Sequence, residues 1–362
     1  MNGISQYLMH FAMIIALCVF SLFDYFPANT FFLVLACALA MPYLALELCL
    51  RYEPGKNYAI FLLSFFFIGS ILNLLSTGNG IGGSFVVLGT FSVGLYCVHH
   101  YDKLRWFLLF VLVVNICYII HGLIITDGNA NEIYEGAGLS RNHPGFLLVL
   151  WIAFYSYILK LNNKKFDLII PILAVVVSFF LEGRSSLAII LIITFVLLIE
   201  YNKSISIFVG VLLLLLVIVN WDNIIALYEL SSFESNGVES ARFEIWPTYF
   251  SEMTFPWLVF GVDTMSIHEI AKYAGNPHNT FLNMHSRMGL LAVIAFFSVL
   301  ILSTYEYIKR KQYICLFFLY MILARVFFDS ELFISPYDYV VYFMLLYPIY
   351  PQTSSITRPF FS

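Results

Sequence analysis

The sequence predicts an all-α integral membrane protein of about twelve transmembrane helices. Composition is the first ground. Of the 362 residues, 61% are hydrophobic and only 11% charged, where a soluble domain carries about a quarter. The second is the arrangement of apolar residues in long, nearly uncharged runs of about 20, the length a helix needs to cross a bilayer. The third is the sidedness of Lys and Arg, which alternates from one connection to the next. These describe one polytopic membrane domain over residues 1–362, with mean hydropathy +0.88. No basic block exists and the net charge is −4, so no nucleic-acid partner is expected.

Taken in order, the runs place spans at roughly 6–23, 30–50, 58–76, 82–98, 104–125, 144–161, 166–182, 185–201, 204–220, 288–308, 313–328 and 337–350, the last one short. No Lys or Arg precedes the first run, so no cleavable signal peptide is expected. Alternate connections carry Arg51 and Lys56; Lys103 and Arg105; Lys160, Lys164 and Lys165; Lys203; and Lys309, Arg310 and Lys311, with Arg358 in the tail. Arg141, Arg184, Arg242, Lys272 and Arg287 fall in the opposite connections. The positive-inside rule then puts both termini in the cytoplasm. The six cysteines lie in apolar runs without CxxC spacing and read as small buried hydrophobes.

Polar material collects on the outer side. "TDGNANEIYEGAGLSRNHPG" joins spans five and six, and the tight turn "EGRSS" joins seven and eight. The longest connection, residues 221–287 before the tenth span, is a large and partly helical loop; loops of that length usually carry function or structure of their own. Within it "NIIALYELSSF" reads as a surface helix and "ARFEIWPTYF" as an aromatic interfacial segment. In "SIHEIAKY", Ser266 precedes Glu269 by three residues, the spacing of a capping box.

The loop ends in "GNPHNTFLNMHSRMGLL", residues 275–291. Asn276-Pro277 reads as a helix start, Asn as cap and Pro at the first position. His278 would then occupy the first turn, where free amides and the helix dipole suit a phosphate or diphosphate and favour a neutral imidazole. Asn279 and His285 follow on the same helix, with Arg287 nearer the membrane edge. An ordinary interfacial turn is the simpler account of His268, His285 and Lys272; the anion-ready terminus sets His278 apart. No metal site is expected. HExxH is absent, about 10 Å of helix separates His278 from His285, and Asp329 and Glu331 in "FFDSELF" read as solvated.

Arginines supply the other half of the chemistry. Arg141 and His143 share one outer connection, Arg184 sits in the tight turn, Arg242 precedes the aromatic segment, and Arg325 lies near the outer end of the eleventh span. Charges in or beside spans tend to face polar cavities. Guanidinium matches phosphate bidentately and stays charged. Such groups can stabilise a departing lipid diphosphate while a neutral His takes the proton of an attacking sugar hydroxyl. A transporter would place charges deep in its spans. Here Glu47 and Arg325 are nearly the only charges inside spans, each toward an end, which favours an outer-face enzyme.

In order and sidedness these motifs resemble the O-antigen polymerase and O-antigen ligase superfamily of bacterial inner-membrane glycosyltransferases. That family's signature is His, then Asn, Ser or Gln, nine residues, then Gly. His278-Asn279, "TFLNMHSRM" and Gly289 match it, and Ala292 departs from the Gly, Thr or Tyr that follows. "EGRSS", "ARFEIW" and Gly261 of "LVFGVD" resemble further family motifs, so the likeness covers most of residues 126–310. It implies a lipid-sugar-dependent glycosyltransferase type fold in the inner membrane, its active site facing the periplasm. The donor would be an undecaprenyl-diphosphate-linked oligosaccharide, with neither a nucleotide sugar nor an obligatory metal or other cofactor. By the same likeness His278 would be the acceptor-activating base, and Arg184 and Arg242 would hold the diphosphate. Asn279, His285, Arg287, Arg141, His143 and Arg325 join them as substrate contacts from position alone. A polysaccharide chain-length regulator and a flippase are the implied protein partners. Polymerase and ligase differ only in acceptor. The idiosyncratic outer loops and the 37 Phe and 24 Tyr favour the polymerase; a ligase acting on lipid A–core, or a lipid-linked oligosaccharide flippase, is the alternative.

Overall fold

A computed structural model of the protein describes residues 3–26, 29–49, 56–77, 82–127, 129, 132, 142–181, 183–204, 206–207 and 242–350. The described residues are helical, with no strand among them. Two compact units divide the chain.

The first unit takes residues 1–101, 248–319 and 330–362. It contains α1 (Gly3–Ser21), α2 (Asn29–Cys49), α3 (Lys56–Thr77) and α4 (Gly82–His100). α4 is its axis: Val86, Val87 and every residue from Gly89 to Val98 are buried, between α2, α3 and a short late helix. A helix apolar on all sides belongs inside a bundle.

The second unit takes residues 102–247 and 320–329. It contains α5 (Leu104–Ile125), α6 (Asn142–Leu161), α7 (Ile169–Phe180) and α8 (Arg184–Tyr201). Here α6 is the axis, buried from His143 through Leu159 and packed by α5, α7 and α8. Later in the chain come α9 (Arg242–Ser251), α10 (Phe255–Phe260), α11 (His268–Ala271), α12 (Thr280–Lys309), α13 (Tyr313–Phe327) and α14 (Asp338–Leu346). α10 and α12 pack on α3, and α14 packs on α4.

Among the described residues, six helices are long and apolar enough to cross a membrane. Leu75, Ile169 and Trp106 are each at least 68% exposed, an arrangement that water penalises and lipid accepts. The protein is therefore a helical membrane protein.

The twelve expected spans are reproduced only in part. α7 and α13 are apolar but shorter than a full crossing; the 12 residues of α7 rise only about 18 Å. Residues 208–220 of the ninth expected span, the whole of "NIIALYELSSF" and most of the connection containing Arg141 lie outside the described residues.

The twelfth expected span is not reproduced at full length. α14 has nine residues, all of them buried, and rises about 14 Å. It is a core helix rather than a lipid-facing one. Two of its polar side chains are bonded inside the protein: Tyr339 and Ser21 share a 2.6 Å hydrogen bond, and Asp338 accepts from the amides of Phe333 (2.8 Å) and Ser335 (2.9 Å).

Candidate active site

Within the first unit, the signature segment begins with a correction. α12 starts at Thr280, three residues later than expected, because Asn279 and not Asn276 is its cap. The Asn279 side-chain oxygen accepts from the amides of Phe281 (2.8 Å) and Leu282 (3.1 Å). These are the donors an anion would have used, so this terminus caps itself rather than holding a diphosphate. Asn276 instead closes a turn. Its side-chain oxygen accepts from the His278 amide (2.8 Å) and from the Ser330 hydroxyl (2.7 Å), and Ser330 in turn accepts from the Asn279 amide (3.2 Å).

His278 therefore stands just outside the helix, half-buried, with φ of 49°. A left-handed conformation is uncommon and costly for a residue with a Cβ. The surrounding hydrogen bonds hold it there, with its ring edge-on to Tyr273 at 5.7 Å. Strain fixed in this way is concentrated at functional positions.

His285 has a different task. Its Nε2 donates to the carbonyl of Leu258 (2.8 Å), because a carbonyl can only accept; Nδ1 then accepts from the Tyr249 hydroxyl (2.6 Å). Burial raises the Tyr249 phenol above its ordinary pKa, keeping that donor protonated. With both ring nitrogens engaged and the residue buried, His285 ties α12 to the 249–258 segment. Asn283, also buried, donates to the carbonyls of Leu332 (3.2 Å) and Phe333 (3.4 Å), fastening the 330–338 loop. Arg287 is exposed one turn further along α12.

The Gly of the signature is a folding requirement. Gly289 has φ 71° and ψ −179° inside α12, where it makes a kink, and a Cβ there would stand 2.3 Å from the Val259 carbonyl oxygen. The kink frees the Ser286 carbonyl to accept from the Val262 amide (3.0 Å) and from the Asn73 side chain (2.7 Å). Gly261, with φ 88°, meets the same carbonyl from the other side. Gly289→Ala is expected to cost at least about 2 kcal/mol. A clear fall in the melting temperature of the detergent-solubilised protein would register it. An unchanged melting temperature would contradict the geometry.

The capping box expected at Ser266 and Glu269 does not form. Ser266 donates to the Asp263 carbonyl (2.6 Å), Asp263 caps the turn at Thr264–Ser266, and Glu269 pairs with Lys272 (2.6 Å). That ion pair also accounts for Lys272.

The second unit holds the arginines. Arg325 is 1% exposed, buried within the protein. Its Nε donates to the Ser186 hydroxyl (2.7 Å), and one Nη2 donates to the Asn142 carbonyl (2.8 Å) and faces Asp329 at 3.5 Å. Its other nitrogen, Nη1, makes no hydrogen bond among the described residues. Asn142 opens α6, Arg184 opens α8 two residues before Ser186, and the first turns of these helices touch where Gly145 meets Ser186.

Arg242 opens α9 and donates to the Phe328 carbonyl. Burial and neighbouring Arg325 lower its pKa, and Asp329 opposes them. Three helix N-termini and the guanidiniums of Arg242 and Arg325 thus gather at one place, and Asp329 is the acid that both feel. Positive helix ends and cations together favour an anion. Arg184 is exposed, and His143 is buried in the first turn of α6 with its ring 6.1 Å from Phe146. Asp329 is committed to this cluster rather than solvated, and no group of three or more metal-ligating side chains occurs among the described residues. Arg141 lies outside them.

Sequence reasoning did not single out Tyr249, Asn73, Ser186, Ser330 or Asp338. Tyr249, Asn73, Ser186 and Ser330 act through partners far along the chain, and Asp338 through amides of its own loop. The fold and both clusters define a helical membrane protein with polar chemistry gathered at helix ends. No protein-family model, curated protein or solved structure matches this chain.

Proposed function

We propose that the protein is a membrane glycosyltransferase that uses a polyprenyl-diphosphate-linked glycan as donor, and that it polymerises surface-polysaccharide repeat units on the outer face of the bacterial inner membrane. The observation that carries this reading is the anion-favouring cluster of the second unit: three helix N-termini with Arg242 and Arg325 beside Asp329. A diphosphate leaving group suits that surplus of positive charge.

In this reading a hydroxyl of the acceptor sugar attacks the anomeric carbon of the donor. The bond from that carbon to the diphosphate oxygen breaks, and undecaprenyl diphosphate leaves with the electron pair. Arg242 and the exposed Arg184 meet the developing charge, with Arg325 behind them. His278, held half-exposed in its left-handed turn, accepts the hydroxyl proton. Asn279, His285 and Gly289 shape the segment that presents it.

Arg242→Ala is expected to lower transfer about 10²–10³-fold. Arg242→Lys restores only part of the loss, since ammonium lacks the bidentate fork. Equal activity of the Lys variant and the wild type would count against a diphosphate clamp.

A lipopolysaccharide gel of the source bacterium, with the gene deleted and then restored, tests the assignment. Core bearing a single repeat unit, with the ladder lost, is the expected result. Bare core with lipid-linked polymer accumulating would make the protein the ligase acting on lipid A–core. An unchanged ladder would overturn both.

A further inference from the structure

A cleft of about 550 Å³ opens where α6 and α8 end, lined in part by Lys160, Lys164, Lys165, Phe166, Glu200 and Tyr201. It lies at the helix ends opposite to Arg184 and Asn142, and neither the donor nor the acceptor chemistry uses it. The turn that forms it is closely specified. Asn163, with φ of 50°, donates its amide to the Lys160 carbonyl (3.1 Å), and the Lys164 amide donates to the Leu159 carbonyl (2.9 Å). That pair of bonds is the Schellman closure of a helix, with Asn in the left-handed position, and it fixes the direction in which the next residues leave.

Buried Phe166 anchors the far side of the turn. Lys160 is already committed, paired with Glu200 at 2.7 Å and 5.8 Å from the centre of the Phe166 ring. Lys164 and Lys165 are exposed and make no side-chain hydrogen bond or ion pair among the described residues. Two adjacent ammonium groups that form no ion pair among the described residues thus border a cavity at the ends of two apolar, membrane-length helices. Tyr201, 53% exposed, stands on the same rim, where an amphipathic ring suits the bilayer interface.

We propose that this cleft binds the phosphodiester headgroup of an anionic membrane lipid, with Lys164 and Lys165 on the phosphate. A soluble phosphate ester offers the same group. The position at the ends of α6 and α8, with Tyr201 beside it, selects the lipid. Headgroup recognition by basic pockets at helix ends follows from the field of the anionic leaflet and the short reach of screened charges.

The test uses the full-length protein in detergent, titrated with phosphatidylglycerol or phosphatidylcholine and read by native mass spectrometry. The wild type is expected to prefer phosphatidylglycerol by at least about tenfold. Lys164→Gln with Lys165→Gln is expected to abolish that preference without changing the melting temperature, since both side chains are exposed. Lys309→Gln with Lys311→Gln, which removes the same charge elsewhere, should leave the preference intact. Equal binding of the two lipids, or a preference that survives the Lys164/Lys165 substitutions, would overturn the proposal. Displacement of phosphatidylglycerol by inorganic phosphate alone at millimolar concentration would assign the cleft to soluble phosphate and overturn its lipid reading.

Discussion

His278→Ala is expected to abolish sugar transfer while the protein still reaches the membrane at wild-type levels. A positioned general base contributes about 10²–10⁴ in rate, and that is the loss expected in a transfer assay. Folding should survive the change, because the residues that hold the segment are its neighbours. Asn279 caps α12, Asn276 and Ser330 close the turn, and Gly289 makes the kink. Asn279 and Gly289 therefore have structural reasons to occupy their signature positions. His278 sits half-exposed in a conformation that costs energy to maintain. His278→Gln keeps a polar side chain but provides no comparable base, so it should be nearly as inactive. Normal product from either variant would remove His278 from the mechanism.

Arg325→Ala should act on stability. The side chain is almost fully buried, faces Asp329 at 3.5 Å, and ties the first turns of α6 and α8 through Asn142 and Ser186. Removing one member of a buried pair leaves the other charge without full compensation, at a cost of about 3–5 kcal/mol. A large fall in melting temperature, or loss of the folded protein on extraction, is the expected outcome. Arg325→Met combined with Asp329→Leu removes both charges and should recover most of the loss. If Arg325→Ala melts like the wild type, the buried tie does not contribute as its geometry requires.

Much of the architecture was legible because lipid demands it. Apolar runs near 20 residues became α2, α3, α6 and α8 with ends within a few residues of expectation. α14 is shorter than the apolar run around it, for a physical reason. A helix buried in protein and a helix facing lipid have the same apolar composition, and only its short length hinted at the former. The start of α12 was ambiguous because Asn276 and Asn279 are both good caps. The choice involves Ser330, which lies more than 50 residues away and bonds to the segment on both sides of His278.

Non-local partners account for the remaining differences at the site. The His285 ring looked available until Tyr249 and the Leu258 carbonyl were found on its two nitrogens. Arg325 stands at the end of an apolar run, and its burial depends on residues near 142 and 186. Local pattern singled out the titratable residues. It could not say which of them were already occupied.

Purified protein in liposomes, given the undecaprenyl-diphosphate-linked repeat unit as the sole sugar source and a chelator, tests the central claim most directly. The account predicts oligomers of increasing length together with released undecaprenyl diphosphate, and neither product from the His278→Ala protein. Movement of the intact lipid-linked unit across the bilayer, with no glycosidic bond formed, would contradict it and make the protein a transporter.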